Sequence, residues 1–213
     1  MVWCGGSGRA WRCRELDPVM LGSCFASLLA AAVGGDEQAF ARLWRDLHPA
    51  VLRYLRVVAP DAAEDVASET WLEVVRGLGG FSGDEGGFRS WVFTIARHRA
   101  LDEHRRRARR LTVPLPVELA AGRQGADDPA DQVVEGLSTR AALAVIAQLP
   151  HDQAEVVLLR VVAGLGVEQV ARILGKRPGA VRVLAHRGLR RLAERLGPDQ
   201  QREHLFRGRS KEV

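Results

Sequence analysis

The stretch Leu149–Leu196 reads LPHDQAEVVLLRVVAGLGVEQVARILGKRPGAVRVLAHRGLRRLAERL. Three short amphipathic helices fit it, and the last two have the spacing of a helix-turn-helix. Val167–Leu174 makes the first of that pair, with small Ala171 where two helices cross closely. Gly175 stands where the turn calls for a left-handed residue, which glycine adopts without steric penalty. Pro178 falls in the first turn of the next helix, where its missing N–H leaves no bond unmade. Val181, Leu184, Leu189 and Leu192 are predicted to form that helix's buried stripe. Its other face carries Arg177, Arg182, His186, Arg187, Arg190, Arg191 and Arg195, with Lys176 just before it. A helix apolar on one side and arginine-rich on the other suits the DNA major groove. The plainer alternative is a solvated basic face on an ordinary surface helix.

The 213 residues leave room for one large or two small domains. No long run alternates apolar with polar residues, so the class reads as all-α, in two small helical domains joined by a flexible linker. Net charge is +5, and of 31 basic residues only Lys176 and Lys211 are lysines. Arginine suits phosphate and base-edge recognition, and a GC-rich genome would give the same bias.

Working outward, residues 1–24 show no apolar period and read as a disordered extension, with Met20 a possible true start. Cys4, Cys13 and Cys24 match no zinc spacing and read as reduced thiols. The apolar run Phe25–Val33 is too short for a bilayer span, which takes about 20 residues. The chain is therefore expected to be cytoplasmic, with no membrane association.

Residues 25–110 read as the first domain. Asp36–Leu55 aligns Phe40, Leu43, Trp44, Leu47, Val51, Leu52 and Leu55 on one face, with Pro49 expected to kink or interrupt it. A helix over 62–78 follows Pro60-Asp61. Gly79–Gly87 reads as a glycine-rich loop holding Phe81, and Phe88 to about Arg110 as a further helix. Residues 111–136, with Pro114, Pro116 and Pro129, read as linker. Residues 137–196 form the second domain and 197–213 a frayed tail.

Charge sorts by segment. From Val57 to Val75 there are five acids, Asp61, Glu64, Asp65, Glu69 and Glu73, and no Lys or Arg. From Arg97 to Arg110 there are seven arginines. Two readings stay open: the two faces pair with each other, or each meets a separate partner, one basic and one nucleic acid. Phe81, Phe88 and Trp91 near arginines could stack unpaired bases, although Phe88 and Trp91 also lie on an apolar stripe. No phosphate-binding glycine loop is present, because Val170 replaces the glycine such a loop needs before Gly175-Lys176. The histidines have no metal spacing, and the carboxylates read as solvated. No cofactor, metal or small-molecule substrate is expected, and no catalysis.

In this order the pieces resemble the extracytoplasmic-function (ECF) sigma factors of bacterial RNA polymerase, in the sigma-70 family. Residues 62–71, AAEDVASETW, are similar to the family's DAEDLVQETF, and residues 88–97, FRSWVFTIAR, to its FRTWLYRIARN. Leu149–Arg160 looks like LPxxxREVLLLR. The departures are Ser68 for glutamine and His98 for asparagine. The resemblance implies a protein that catalyses nothing and lends core polymerase promoter specificity. Asp61, Glu64, Asp65, Ser68, Glu69 and Trp71 would bind the polymerase clamp helices. Phe81, Phe88, Arg89, Trp91, Arg97, His98, Arg105 and Arg106 would hold the −10 element. Lys176, Arg177, Arg182, His186, Arg187 and Arg190 would read the −35 duplex. The polymerase flap and an anti-sigma factor are further implied partners. A stand-alone helix-turn-helix regulator is the alternative; it explains the second domain but not the acid-then-base first domain.

Overall fold

The computed structural model describes residues 24–111 and 133–207; the expected extension 1–23, most of the linker (112–132) and the last residues (208–213) lie outside them. Among the described residues eight α-helices follow in order: α1 Phe25–Val33, α2 Glu37–Val58, α3 Ala63–Gly77, α4 Glu85–Leu111, α5 Val133–Ala147, α6 His151–Val157, α7 Val167–Leu174 and α8 Pro178–Arg207. No strand occurs among the described residues, so the all-α expectation holds.

The first four helices pack around α2. Asp36 caps that helix, its Oδ1 accepting from the N–H groups of Gln38 (2.8 Å) and Ala39 (3.1 Å). Leu43, Leu47, Val51 and Leu55 are buried as the periodicity predicts, but the face also contains Tyr54, fully buried, which the stripe omitted. Pro49 does not interrupt α2. It is exposed, so the carbonyl bond that its ring removes lies on the solvent side, where water can replace it. Buried Leu47, Ala50 and Val51 hold the turn on the other side.

The glycine loop is shorter than expected. Asp84 starts α4 at Glu85, its Oδ1 accepting from Gly87 N–H at 2.7 Å and its carbonyl from Phe88 N–H at 2.9 Å. Gly86 and Gly87 are therefore in the first turn of α4. The backbone approaches α4 elsewhere too: a Cβ on Gly77 would meet Trp91 Cζ2 at 2.8 Å, so this glycine lets α3 end against the indole.

In the second half, α6 runs into a turn of wider π-type helix at Leu158–Val162. The helix-turn-helix is α7 and α8, with α7 at the bounds read from the sequence. Gly175 has φ +63°, and Lys176 N–H closes the turn on the Ala171 carbonyl at 2.9 Å. One expectation fails here. Leu189 is 48 % exposed, and Gly188 takes its place in the stripe with Val181, Leu184 and Leu192. A Cβ on Gly188 would meet Val157 Cγ2 at 2.8 Å, so α8 crosses α6 too closely for any larger residue. Helix α8 also runs to Arg207, past the expected end at Leu196, and α5 begins at Val133, inside the expected linker.

The two halves share one apolar core. Helices α2 and α4 of the first half touch α5, α7 and the π-type turn of the second.

Candidate nucleic-acid interface

Helix α8 presents its basic face to solvent. Arg177, Arg182, His186, Arg187 and Arg190 are all exposed. Arg182 pairs with Glu168 of α7 at 3.4 Å, and Arg190 with Glu194 at 2.9 Å. Both pairs are well exposed, and such pairs contribute little and exchange readily. Lys176 Nζ donates to Asp152 Oδ2 at 2.9 Å, and this bond holds the Asp152 carboxyl below its usual range. The residues expected to read the −35 duplex thus share one solvent-facing side of the helix-turn-helix.

Helix α4 is different. Phe88 is 1 % exposed and packs on Phe25, Phe81 and Trp91, so it is core rather than a base platform. Phe81 and Trp91 are half-buried, with ring centroids 5.2 Å apart at 26°, and they form the only stacked pair among the expected −10 aromatics. Arg89 donates to Asp46 at 3.1 Å, with Glu85 3.5 Å away, and its side chain is largely buried. Burial is the main reason the Asp46 carboxyl is pushed up; Arg89 opposes it. His98 and Arg105 are exposed, the latter 3.0 Å from Asp102.

Acids between residues 61 and 73 meet arginines of α4 and one of α2. Arg106 bonds Glu69 at 3.2 Å, Arg107 bonds Asp61 at 2.5 Å, Arg99 bonds Glu73, and Arg56 reaches Glu64 at 3.4 Å. The paired-faces reading therefore describes this structure. The pairs are solvent-exposed to varying degrees, so another partner can displace them. Trp71 is 6 % exposed, and its Nε1–H donates to His48 Nδ1 at 3.1 Å, which places it inside the α2–α3 contact rather than on the surface. Ser68 is exposed and donates to the Glu64 carbonyl at 2.9 Å. Leu72 and Val75, 56 % and 54 % exposed, continue the outward ridge of Asp65 and Ser68. A reading for charge passes over both.

Arg97 leads to the residue that sequence reasoning missed most clearly. Its Nε donates to Glu155 Oε1 at 2.8 Å, and Tyr54 Oη donates to the same oxygen at 3.0 Å. Glu155 is 4 % exposed, against the expectation that carboxylates here are solvated. Burial, followed by the Glu155 charge, raises the Tyr54 hydroxyl well above its ordinary value, so it remains a donor. Gln169 of α7 adds a bond to the Gly86 carbonyl at 2.9 Å. The only available signal for Glu155 was an acid set inside the apolar run Ala154–Leu159. Tyr54 lies 101 positions away, so no local period could pair them.

Among the described residues no group of three His, Cys, Asp or Glu side chains could hold a metal ion, and no helix is long and apolar enough to cross a membrane. Cys24 is half-buried just before α1; Cys4 and Cys13 lie outside the described residues.

Comparison with known families matches residues 43–110 to Sigma-70 region 2 and residues 139–192 to Sigma-70 region 4. The ECF RNA polymerase sigma factor BldN of Streptomyces coelicolor is 37 % identical over 82 % of this chain and 66 % of its own length. This chain thus spans about two thirds of BldN. The ECF sigma factor SigD of Mycobacterium tuberculosis is 32 % identical over 85 % of this chain and 89 % of its own. Two solved structures share the fold, each with a TM-score of 0.55. CnrH, bound to the cytosolic domain of CnrY, is 20 % identical over 82 % of this chain and 97 % of its own. RpoE of Bartonella quintana, bound to the anti-sigma factor NepR, is 24 % identical over 75 % and 98 %. With regions 2 and 4 both present in order, the chain belongs to the ECF sigma factors of the sigma-70 family, and is a transcription initiation factor rather than a stand-alone helix-turn-helix regulator.

Proposed function

We propose that this chain recruits core RNA polymerase through α3 and reads a promoter through α4 and α8. The observation that carries the reading is the outward face of α8, exposed and basic on the second helix of a helix-turn-helix. That face is assigned the −35 duplex. Arg182 and Arg187 are the base-edge candidates, with Arg177 and Lys176 on phosphate. On α3 and the turn before it, the ridge Asp61, Glu64, Asp65, Ser68, Leu72 and Val75 is assigned the polymerase clamp. Apolar Leu72 and Val75 supply the desolvated centre and the acids a polar rim, as protein interfaces generally require. Phe81, Trp91, His98, Arg105 and Arg106 are assigned the −10 strand, with stacking and sequence-blind phosphate contacts. No reaction is assigned to the chain, and no cofactor.

On this reading promoter binding requires a rearrangement. The −10 and −35 elements lie about 25 base pairs apart, roughly 85 Å of duplex at about 3.4 Å per step. In this structure α4 and α7 touch. The packed arrangement is thus that of the free protein, and promoter engagement separates the halves and releases Arg97 from Glu155. An anti-sigma factor is a second proposed partner, since RpoE of Bartonella quintana is seen bound to one.

Run-off transcription with core polymerase tests the reading. Added chain should give transcripts from a defined promoter set that core alone does not produce. Transcription no different from core alone contradicts it.

A further inference from the structure

The base-reading face of α8 has an apolar residue at its centre. Val181 is fully buried and marks the core side of the helix. Val183 follows two positions on, about 200° further round at about 100° per residue, which is nearly opposite the core. It is 49 % exposed. Helix α8 cannot roll to cover it, because the close crossing at Gly188 sets the rotation: a Cβ there already meets Val157. Val183 lines one open depression with Arg182, His186, Arg187 and Arg190. It sits in the second turn of α8, in the N-terminal part that reaches base edges in helix-turn-helix proteins.

We propose that Val183 is a specificity-determining residue that reads the C5-methyl group of a thymine in the −35 duplex. This rests on the −35 assignment of α8 made above. In the major groove thymine differs from cytosine by that methyl and by an acceptor in place of an amino donor. Valine offers two methyl groups and no hydrogen-bonding atom. Against thymine it buries methyl on methyl; against cytosine it would strip water from the amino group and return no bond. The surrounding arginines favour guanine O6 and N7, so the depression as a whole selects a thymine beside guanine-containing pairs.

The test uses the full chain assembled with core polymerase, on the −35 element that this holoenzyme itself selects from a randomised promoter library. Each thymine is replaced in turn by deoxyuridine, which removes only the methyl group. At one position binding should fall about threefold to fivefold, the worth of one buried methyl. Val183→Ala should bind the thymine and deoxyuridine duplexes alike, with an unchanged melting temperature because the side chain is on the surface. Methyl dependence that persists in V183A, or none at any thymine while scrambling the −35 element still abolishes binding, overturns the Val183 assignment alone. Indifference to scrambling overturns the −35 reading of α8 and this inference with it.

Discussion

The outward faces of α8 and α4 are both rich in arginine, yet those arginines are in opposite states. On α8 and just before it, Arg177, His186 and Arg187 make no ion pair with the described residues, and the pairs of Arg182 and Arg190 are exposed. On α4, Arg89, Arg97, Arg99, Arg106 and Arg107 all bond carboxylates of other helices. The difference follows from packing. Helix α8 buries one stripe and leaves the rest to water, whereas α4 lies between α3 and the second half of the molecule. A basic helix seen in a sequence is therefore not by itself an open nucleic-acid surface. Its neighbours decide whether its charge is available.

The largest effect expected from breaking this contrast is on the open face. Arg182→Ala or Arg187→Ala should weaken binding to a matched −35 duplex by about 1–3 kcal/mol and relax preference at one base pair. Equal losses on matched and mutated duplexes would mean phosphate contacts instead. Arg89→Ala should act differently, lowering the melting temperature, because it leaves Asp46 half-buried without its partner.

Next comes the pinned residue. Glu155→Ala removes the acceptor shared by buried Tyr54 and Arg97, and leaving such donors unpaired costs about 1–3 kcal/mol. The same variant should bind a single-stranded −10 oligonucleotide more tightly, since Arg97 is set free. Lower stability and tighter binding together mark a latch; lower stability with no gain in affinity would mean Glu155 only supports the core.

A smaller effect is expected on α3. Asp65→Lys and Leu72→Ala should each reduce polymerase affinity while the melting temperature holds, since both side chains face water. Unchanged affinity in a titration with core polymerase would remove this ridge from the interface.

The smallest effect is a pH dependence at His48. Burial, then the nearby Arg56 charge, lowers its ionisation below the usual histidine value, consistent with a neutral ring that accepts from Trp71. Above about pH 6.5 the ring is neutral in both folded and unfolded chains and adds no pH dependence. Below it the unfolded chain takes up the proton first, so stability falls as pH drops toward the folded value. Thermal melts of His48→Gln should show a shallower acid slope below about pH 6.5 than the unaltered chain. Identical slopes would contradict this.

Much of the fold was legible because it is written locally. The bounds of α7, the left-handed Gly175 and the proline start of α8 depend on residues a few positions apart, and so does the acid-rich α3. What was not legible depends on distant partners. Gly188 displaces Leu189 from the buried stripe only because α6 crosses there. Pro49 is tolerated because its side of α2 faces solvent. Phe88 pairs an aromatic type with nearby arginines and Trp71 takes a binding role from the resemblance, yet their neighbours make both core. Val183, Leu72 and Val75 show the reverse: they are apolar, yet each is exposed because no other helix covers it.

The central claim is that the two halves hold each other in the free chain and part on the promoter. Paired spin labels at exposed Ser82 and Arg172, with the native cysteines replaced by serine, measure this directly. The account predicts one short distance in the free protein, lengthening by tens of ångströms once core polymerase and promoter DNA are added, as the roughly 85 Å between the two elements requires. A distance that is already long in the free chain, or that stays short in the promoter complex, would contradict it.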